Sequence, residues 1–171
     1  MSLAGLGRPV LAEAVEIRPF AAADAEAVSA LVRRVFDERV SPSFEPAGVA
    51  EFYAYAAPEA LVERAATHHT FVAWRPVLSG VEGGALPVGV VEVRDTDHLS
   101  LLFVRTSDMG LGIATALLAR AEEACRAADR LALTVNSSLN AQSFYERLGF
   151  VPADEPQRLH GFAFIPMTKQ L

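Results

Sequence analysis

Hydrophobic residues follow two different periodicities along this chain, and each predicts a different kind of element. Helical spacing from Val28 to Phe36 predicts a helix that begins after Asp24 as its N-cap and ends near Asp37. Further helical patterns cover 49–66, which Pro58 leaves as one helix or two, 113–128, and 141–148 before Gly149. Short β-branched and aromatic runs predict strands over 15–20, 70–74, 88–94, 98–104, 131–136, from 150, and over 162–168.

Two polar segments separate the central strands. Residues 76–87 are rich in Gly, Pro and Ser and predict a loop long enough for a hairpin insertion, whereas Asp95-Thr96-Asp97 predicts a turn. The strands on either side of that turn are therefore expected to form a hairpin. The order β-α-α-β-β-β-α-β-α-β-β predicts an α/β fold in which a mixed sheet carries helices on its faces.

Composition narrows the class of protein. The 171 residues are 51% hydrophobic and 21% charged, which is typical of one ordered domain, here 15–171 after an N-terminal tail at 1–14. The net charge of −6 argues against nucleic acid as a partner, because phosphate backbones bind to basic surfaces. The sequence contains no run of about 18 apolar residues and no signal-peptide pattern, so we expect no membrane span and a cytoplasmic location.

Candidate ligands for a metal or a disulfide are scarce. The single cysteine, Cys125, lies on the apolar side of a predicted helix, where we expect a buried and inert thiol. The His, Cys, Asp and Glu residues show no spacing that predicts a metal site.

Small residues follow one of the predicted strands and precede a predicted helix. The segment is Gly110-Leu111-Gly112-Ile113-Ala114, and backbone N–H groups at such a helix start favour a phosphate. The segment lacks the Gly-Lys-Ser/Thr of a nucleoside-triphosphate loop and the GxGxxG pattern of a dinucleotide fold. It therefore predicts a phosphate site of another kind.

Two segments together resemble the GNAT superfamily, whose members transfer an acyl group from acyl-CoA to an amine. Residues 109–114 match the family's Gln/Arg-x-x-Gly-x-Gly/Ala motif at Gly112 and Ala114, while Met109 departs from it. Residues 140–150 (NAQSFYERLGF) are similar to the family's AxxFYExLGF signature. The opening and closing elements also resemble the family, so the resemblance spans about 15–171. It implies a GNAT-like, mostly antiparallel sheet with helices on both faces and a pair of central strands that splay apart.

The resemblance implies acetyl-CoA as the co-substrate. Its pyrophosphate would lie on the backbone N–H groups of 110–115, and its pantetheine arm would bind the backbone of 102–104. Ser138 stands where many members carry Asn, so Asn136 or Asn140 could supply that contact, while Ser138 and Asn140 are also candidate helix caps. The expected cofactor-binding residues are Leu102, Phe103, Val104, Met109, Gly110, Leu111, Gly112, Ile113, Ala114, Thr115, Asn136, Ser138, Asn140 and Phe144.

Three residues are candidates for catalysis. Tyr145 matches the tyrosine that many members place beside the CoA sulfur, where a phenol can protonate the departing thiolate; the alternative is a core aromatic.

His98 lies eleven residues before Met109, where several members carry a Glu or His general base. Strand alternation places His98 on one face with Ser100, Leu102 and Val104. Glu92 is the rival base, with Arg94 as its expected partner, whereas His68 and His69 are expected at the surface.

Aromatic residues are concentrated in the predicted first helices, where this superfamily builds its acceptor pocket. The candidates are Phe36 and Tyr53, together with Phe44, Phe52 and Tyr55, and each is equally a candidate for the core. The resemblance thus implies direct acetyl transfer from acetyl-CoA to a small-molecule amine, without a covalent enzyme intermediate, in a monomer or homodimer. The alternatives are acetylation of a protein lysine or N-terminus, and a non-catalytic CoA-binding sensor.

Overall fold

In the part of the chain that the structure describes, one eight-stranded sheet carries five helices. The computed structural model describes residues 15–77, 84–159 and 161–171; the predicted tail at 1–14 lies outside these residues, as does 78–83 of the predicted loop. The strands are β1 (Glu16–Pro19), β2 (His69–Pro76), β3 (Ala85–Arg94), β4 (His98–Val104), β5 (Ala132–Ser138), β6 (Val151–Pro152), β7 (Gln157–Leu159) and β8 (Phe162–Gln170). The helices are α1 (Ala25–Arg39), α2 (Pro46–Tyr55), α3 (Pro58–Ala65), α4 (Ile113–Ala127) and α5 (Gln142–Arg147).

Most predicted elements are present, with shifted ends. The predicted 49–66 segment forms two helices, because Pro58 begins α3 at a position where its missing N–H costs no hydrogen bond. Strands β2 and β3 pair from Pro76 and Ala85 inward, so they extend into the predicted loop. Strand β7 was not predicted; its three residues are all exposed and leave no alternating pattern in the sequence.

The strand order places a gap in the middle of the sheet. The order is β1-β2-β3-β4-β5-β8-β6, and β7 also pairs with β8. All pairs are antiparallel except β4 and β5, which pair only at His98 with Thr134 and at Leu99 with Val135. Beyond Leu99 these two parallel strands separate. The mixed, mostly antiparallel sheet and its splayed central pair are therefore confirmed.

Helices cover both faces of the sheet, and each face has its own core. On one face α4 packs through Leu117 and Cys125 against strand residues such as Val91. On the other face α1 and α3 pack through Val32 and Leu61 against Val90 and its neighbours. The Cys125 side chain is fully buried, as predicted, and burial raises the pKa of its thiol. In the described part of the chain, no helix is long and apolar enough to cross a membrane.

A β-bulge changes the direction of side chains along β4. Val93 pairs with Leu99 and Glu92 with Leu101, so Ser100 is an extra residue on this strand. Leu99 therefore packs on the α4 face, while Leu101 packs on the face of α1 and α3. The predicted alternation was wrong: Leu102 packs on the α4 face, whereas the Ser100 hydroxyl bonds Glu92 on the opposite face.

Asp24 precedes α1 as predicted, but its carboxylate does not cap the helix. It accepts hydrogen bonds from both terminal nitrogens of Arg18, at 2.8 and 2.9 Å, and from the Ala21 N–H at 2.8 Å. Burial acts to raise the pKa of Asp24, but these bonds outweigh it and hold the pKa below its usual value. The residue thus fixes β1 to the start of α1.

Candidate active site

A cleft of about 1140 Å³ opens where β4 and β5 separate. One part of its wall comes from β4, the start of α4, the end of β5 and α5. The opposite part comes from α1, α2, β7 and β8. The lining residues come from helices on both faces of the sheet, with α4 on one face and α1 on the other. The gap between β4 and β5 therefore connects the two faces.

The glycine loop before α4 is shaped by its backbone conformation. Gly110 and Gly112 have φ angles of 78° and 80°, in the left-handed region that residues with a Cβ rarely adopt. A Cβ at either position would meet no atom within 4 Å, so conformation and not crowding calls for glycine. The first helical bond runs from the Ala116 N–H to the Gly112 carbonyl at 3.0 Å. The N–H groups of 113–115 are therefore free of helical partners and available to an anion.

Most of the predicted loop residues line the cleft, and one does not. The lining includes Met109, Gly110, Gly112, Ile113, Ala114 and Thr115. Leu111 is absent from it because its side chain packs against the core on the α4 face. The side chain of Met109 is exposed and lies 3.4 Å from a terminal nitrogen of Arg39, which also lines the cleft.

An ion cluster that the sequence analysis missed lies beneath this loop. The carboxylate of Asp108 is fully buried and forms ion pairs with Arg75 of β2 and with Arg105. Burial acts to raise the pKa of Asp108, but the Arg105 hydrogen bond and the two arginine charges hold it below its usual value. Through its ion pair with Arg75, Asp108 connects the segment that precedes the glycine loop to β2. Arg105 and Asp108 are three residues apart, a spacing that was visible in the sequence.

The end of β5 and the start of α5 supply the polar residues of the cleft. Asn136, Ser138, Asn140 and Phe144 all line it, as do Leu102, Phe103 and Val104 of β4. The alternative role of Ser138 as a helix cap is not observed, since its side chain makes no capping bond to the 3₁₀ turn that follows.

Tyr145 lies on α5 with its ring packed between two others. The ring is 9% exposed and meets Phe144 and Phe150 edge-on, at centroid distances of 5.1 and 5.5 Å. It also lines the cleft. Burial raises the pKa of the phenol, so the group is protonated at neutral pH. Among the described residues the hydroxyl has no hydrogen-bond partner. The residue is thus a core aromatic that also lines the cleft, and its role as a proton donor stays a prediction.

His98 contacts a threonine of the neighbouring strand. Its Nδ1 lies 2.8 Å from the Thr134 hydroxyl, which lies 3.2 Å from the Asp97 carbonyl. In the tautomer with a proton on Nδ1, the threonine oxygen accepts from Nδ1–H and the lone pair lies on Nε2. Burial and then the charge of Arg94 lower the pKa of His98, although Asp97 and Asp95 oppose this. The imidazole is therefore neutral near pH 7 and lines the cleft.

Glu92 lies in a different environment from the one predicted. Its partner is Arg64 of α3 at 3.1 Å and not Arg94; it also accepts bonds from Tyr55 at 2.7 Å and Ser100 at 2.8 Å. His68 was expected at the surface, but it is 13% exposed and 3.4 Å from this carboxylate. Burial acts to raise the pKa of Glu92, and the bonds from Tyr55, Arg64 and Ser100 hold it below its usual value. Glu92 is not among the described residues that line the cleft.

We expect Glu92→Ala to lower the free energy of unfolding by about 3–5 kcal/mol, because it leaves Arg64 without its buried partner. Because the folded-state pKa is lowered, this contribution is complete above about pH 4.3 and is lost as pH falls through the folded pKa. Urea titrations at several pH values measure both effects. Glu123→Ala, which removes an exposed partner of Arg120, is the control; equal stability of the two variants would contradict the structural role.

Seven aromatic rings line the part of the cleft that faces α1, α2 and β8, and we call this part the aromatic lobe. Its members are Phe36, Phe44, Phe52, Tyr55, Phe103, Phe162 and Phe164. Four of the five predicted acceptor candidates therefore line the cleft, namely Phe36, Phe44, Phe52 and Tyr55, and their role in binding an acceptor stays a prediction. Tyr53 is not among the lining residues; its hydroxyl bonds Asp37, and Arg33 lies over its ring. Phe162 and Phe164 were missed because their run reads as an ordinary strand.

The sequence and the fold match known acetyltransferases. A family model described as an acetyltransferase (GNAT) domain matches residues 40–171. No curated protein matches the sequence significantly.

Solved structures match over nearly the whole chain. A GCN5-related N-acetyltransferase from Rhodopseudomonas palustris is 27% identical with a TM-score of 0.71, over 91% of this chain and 95% of that one. The PaiA N-acetyltransferase from Thermoplasma acidophilum, solved in complex with coenzyme A, is 16% identical with a TM-score of 0.74, over 92% and 99%. An IAA acetyltransferase from Bacillus cereus is 17% identical with a TM-score of 0.56, over 92% and 99%.

Proposed function

This chain belongs to the GNAT family of acetyltransferases, and we propose that residues 15–171 transfer an acetyl group from acetyl-CoA to the primary amine of a small molecule. The observation that carries the proposal is the gap between β4 and β5, which opens onto the glycine loop. The free N–H groups at the start of α4 suit a pyrophosphate, and the relative from Thermoplasma acidophilum was solved with coenzyme A.

The residues that line the gap suit a chain with amide groups. Beyond Leu99, the backbone groups of β4 that face β5 have no strand beside them, so 102–104 can bond the pantetheine arm. Asn136, Ser138 and Asn140 offer polar side chains along the same gap, and Phe144 covers it with an apolar ring. When bound, acetyl-CoA supplies the acetyl group as an activated thioester.

Two side chains handle the protons of the transfer. The amine nitrogen forms a bond to the acetyl carbon while the carbon–sulfur bond breaks. His98 takes a proton from the amine at Nε2, and Tyr145 donates its phenolic proton to the departing thiolate. The products are an acetamide and the free thiol of coenzyme A. His98 is favoured over Glu92 as the base for two reasons. Glu92 lies outside the cleft lining, and its carboxylate is engaged by Arg64, Tyr55 and Ser100, which lower its pKa and make it a weaker base.

Transfer is tested by incubating the protein with acetyl-CoA and a set of small amines, with thiol release as the readout. We expect turnover with at least one small amine. Stabilisation by acetyl-CoA without turnover on any amine would contradict the proposal and indicate a binding role.

We expect kcat/KM to rise with pH through an apparent pKa below 6.5, since burial lowers the pKa of His98. The ionisation of the amine acceptor adds a second limb at higher pH, which shifts with the pKa of the acceptor. His98→Ala is expected to remove this limb and to lower the rate by about 10²-fold, because water is a weaker base. The measurement is kcat/KM from pH 5 to pH 9 with acceptors of different pKa. A limb that survives in His98→Ala, or that disappears only in Glu92→Gln, would show that His98 is not the base.

A further inference from the structure

Six of the seven rings of the aromatic lobe are connected by direct ring contacts. Phe162 stacks on Phe44 and Phe164 at centroid distances of 4.4 and 5.7 Å, both with an interplanar angle of 24°. The Phe36 ring contacts Phe44 edge-on at a centroid distance of 5.1 Å and stacks on Phe52 at 3.9 Å. The Phe52 ring in turn contacts Phe103 at a centroid distance of 5.7 Å. The rings therefore connect α1, α2, β4 and β8 around one end of the cleft.

These rings are not all needed to fill the core. Four of them are only partly buried and line the cleft, namely Phe44, Phe52, Phe103 and Phe162. Their open faces are apolar surface in contact with the cavity. A flat apolar group bound there would shield both its own surface and the open ring faces from water. Removal of apolar surface from water is the main source of affinity in a small-molecule pocket.

The charges of the cleft do not suit a ligand with several positive groups. The chain has a net charge of −6, yet arginines outnumber carboxylates among the described lining residues. One of the carboxylates, Asp108, already pairs with Arg75 and Arg105. The charged lining residues are Arg39, Arg94, Arg147, Glu51 and Asp108. A polyamine binds best where several carboxylates converge, and such a group is not found in this lining.

The lobe adjoins the residues that handle protons. Tyr55 contributes its ring to the lobe and donates its hydroxyl to Glu92, which also accepts from Ser100, two residues after His98. Arg64 lies over the Tyr55 ring at 3.6 Å and fixes it further. A ring seated in the lobe can thus carry a nitrogen on a short linker toward the gap between β4 and β5.

We propose that the acceptor is a monoamine whose primary amino group is attached by a short linker to an aromatic or similarly flat apolar group, which binds in the aromatic lobe. The inference rests on the proposed acetyl transfer and adds the class of acceptor. It implies that the ring, and not a second charge, determines which amines are used.

The first test compares 2-phenylethylamine, ethylamine and spermidine as acceptors with acetyl-CoA. We expect kcat/KM for 2-phenylethylamine to exceed that for ethylamine by about 10-fold or more, since even one methylene in an apolar pocket gives about 10-fold. Spermidine is expected to be no better than ethylamine. A preference for spermidine would overturn the proposal.

The second test measures binding of 2-phenylethylamine to the protein with coenzyme A present, by titration calorimetry. Phe162→Ala is expected to weaken this binding by about 10-fold. Phe44→Leu, which keeps an apolar side chain but not the flat ring, is expected to weaken it less. Phe71→Ala is the matched control, because this partly buried ring lies outside the cleft lining and packs near Arg120. Unchanged binding in both lobe variants would overturn the proposal.

The two tests together separate this proposal from the proposed function. Binding of 2-phenylethylamine that depends on Phe162, without transfer to any amine, would contradict acetyl transfer and still support the lobe as a site for flat apolar amines. Equal use of all amines, combined with a preference for hexanoyl-CoA over acetyl-CoA that Phe162→Ala removes, would show that the lobe holds an acyl chain. That result would overturn the proposal.

Discussion

Gly112→Glu is expected to abolish the stabilisation of this protein by acetyl-CoA. In the wild-type protein, a hundredfold excess of acetyl-CoA over its Kd should add about 2.7 kcal/mol to the free energy of unfolding. In the variant, a carboxylate at the N-cap of α4 would occupy the place of the pyrophosphate and repel it. The measurement is the shift in Tm with increasing acetyl-CoA, with calorimetry for the Kd.

A control variant separates the two effects of Gly112→Glu, namely the added negative charge and the strain in the backbone. A residue with a Cβ at the left-handed angles of Gly112 costs about 1–2 kcal/mol, so Gly112→Glu is also expected to lower the Tm without ligand. Gly112→Asn adopts left-handed angles more readily and carries no charge, so we expect it to keep most of the acetyl-CoA response. Wild-type affinity for acetyl-CoA in folded Gly112→Glu would show that the pyrophosphate binds elsewhere.

Tyr145→Phe is expected to lower kcat by about 10²- to 10⁴-fold, which is the usual loss when a general acid is removed. The ring and its edge-on contacts with Phe144 and Phe150 are retained, so the fold and the affinity for coenzyme A should change little. The hydroxyl has no hydrogen-bond partner among the described residues, and its removal therefore leaves no protein group unpaired. Steady-state rates with the best amine acceptor give the loss.

A second tyrosine provides the matched control for Tyr145→Phe. Tyr53→Phe also removes one hydroxyl, but that hydroxyl bonds Asp37 and lies outside the cleft lining. We expect this variant to keep the wild-type rate. Full turnover in Tyr145→Phe would make its hydroxyl dispensable and would assign protonation of the thiolate to water or another group.

The parts of this protein that could be predicted from its sequence are those that local patterns determine. Strand β4 begins and ends at the predicted residues, because a turn that begins at Asp95 precedes it and polar residues follow it. The glycine loop was predicted because small residues stand between a strand pattern and a helix pattern. In the structure, Gly110 and Gly112 there adopt left-handed angles that few other residues favour. Its match to a known motif then indicated the family.

The remaining parts depend on contacts between distant segments. The bulge at Ser100 arises in the pairing of β4 with β3, so it leaves no signal in the strand itself, and the alternation drawn through Ser100 was wrong. Likewise, Glu92 binds Arg64, which is 28 residues earlier in the chain. The predicted partner, Arg94, was chosen because it is only two residues away on the same strand. The aromatic lobe joins Phe44 to Phe162, and only the folded chain shows that these rings stack.

The separation of β4 and β5 gives this sheet an edge in its interior. Beyond Leu99, the described part of the chain gives β4 a neighbouring strand on one side only, β3, and beyond Val135 it gives β5 only β8. Edges at the outside of a sheet invite other chains to add as strands, which is a common route to aggregation. Here the separated parts of both strands line the cleft. A ligand with amide groups that bonded them would take the place of the missing strand pairing, inside the sheet and not at its outer edge.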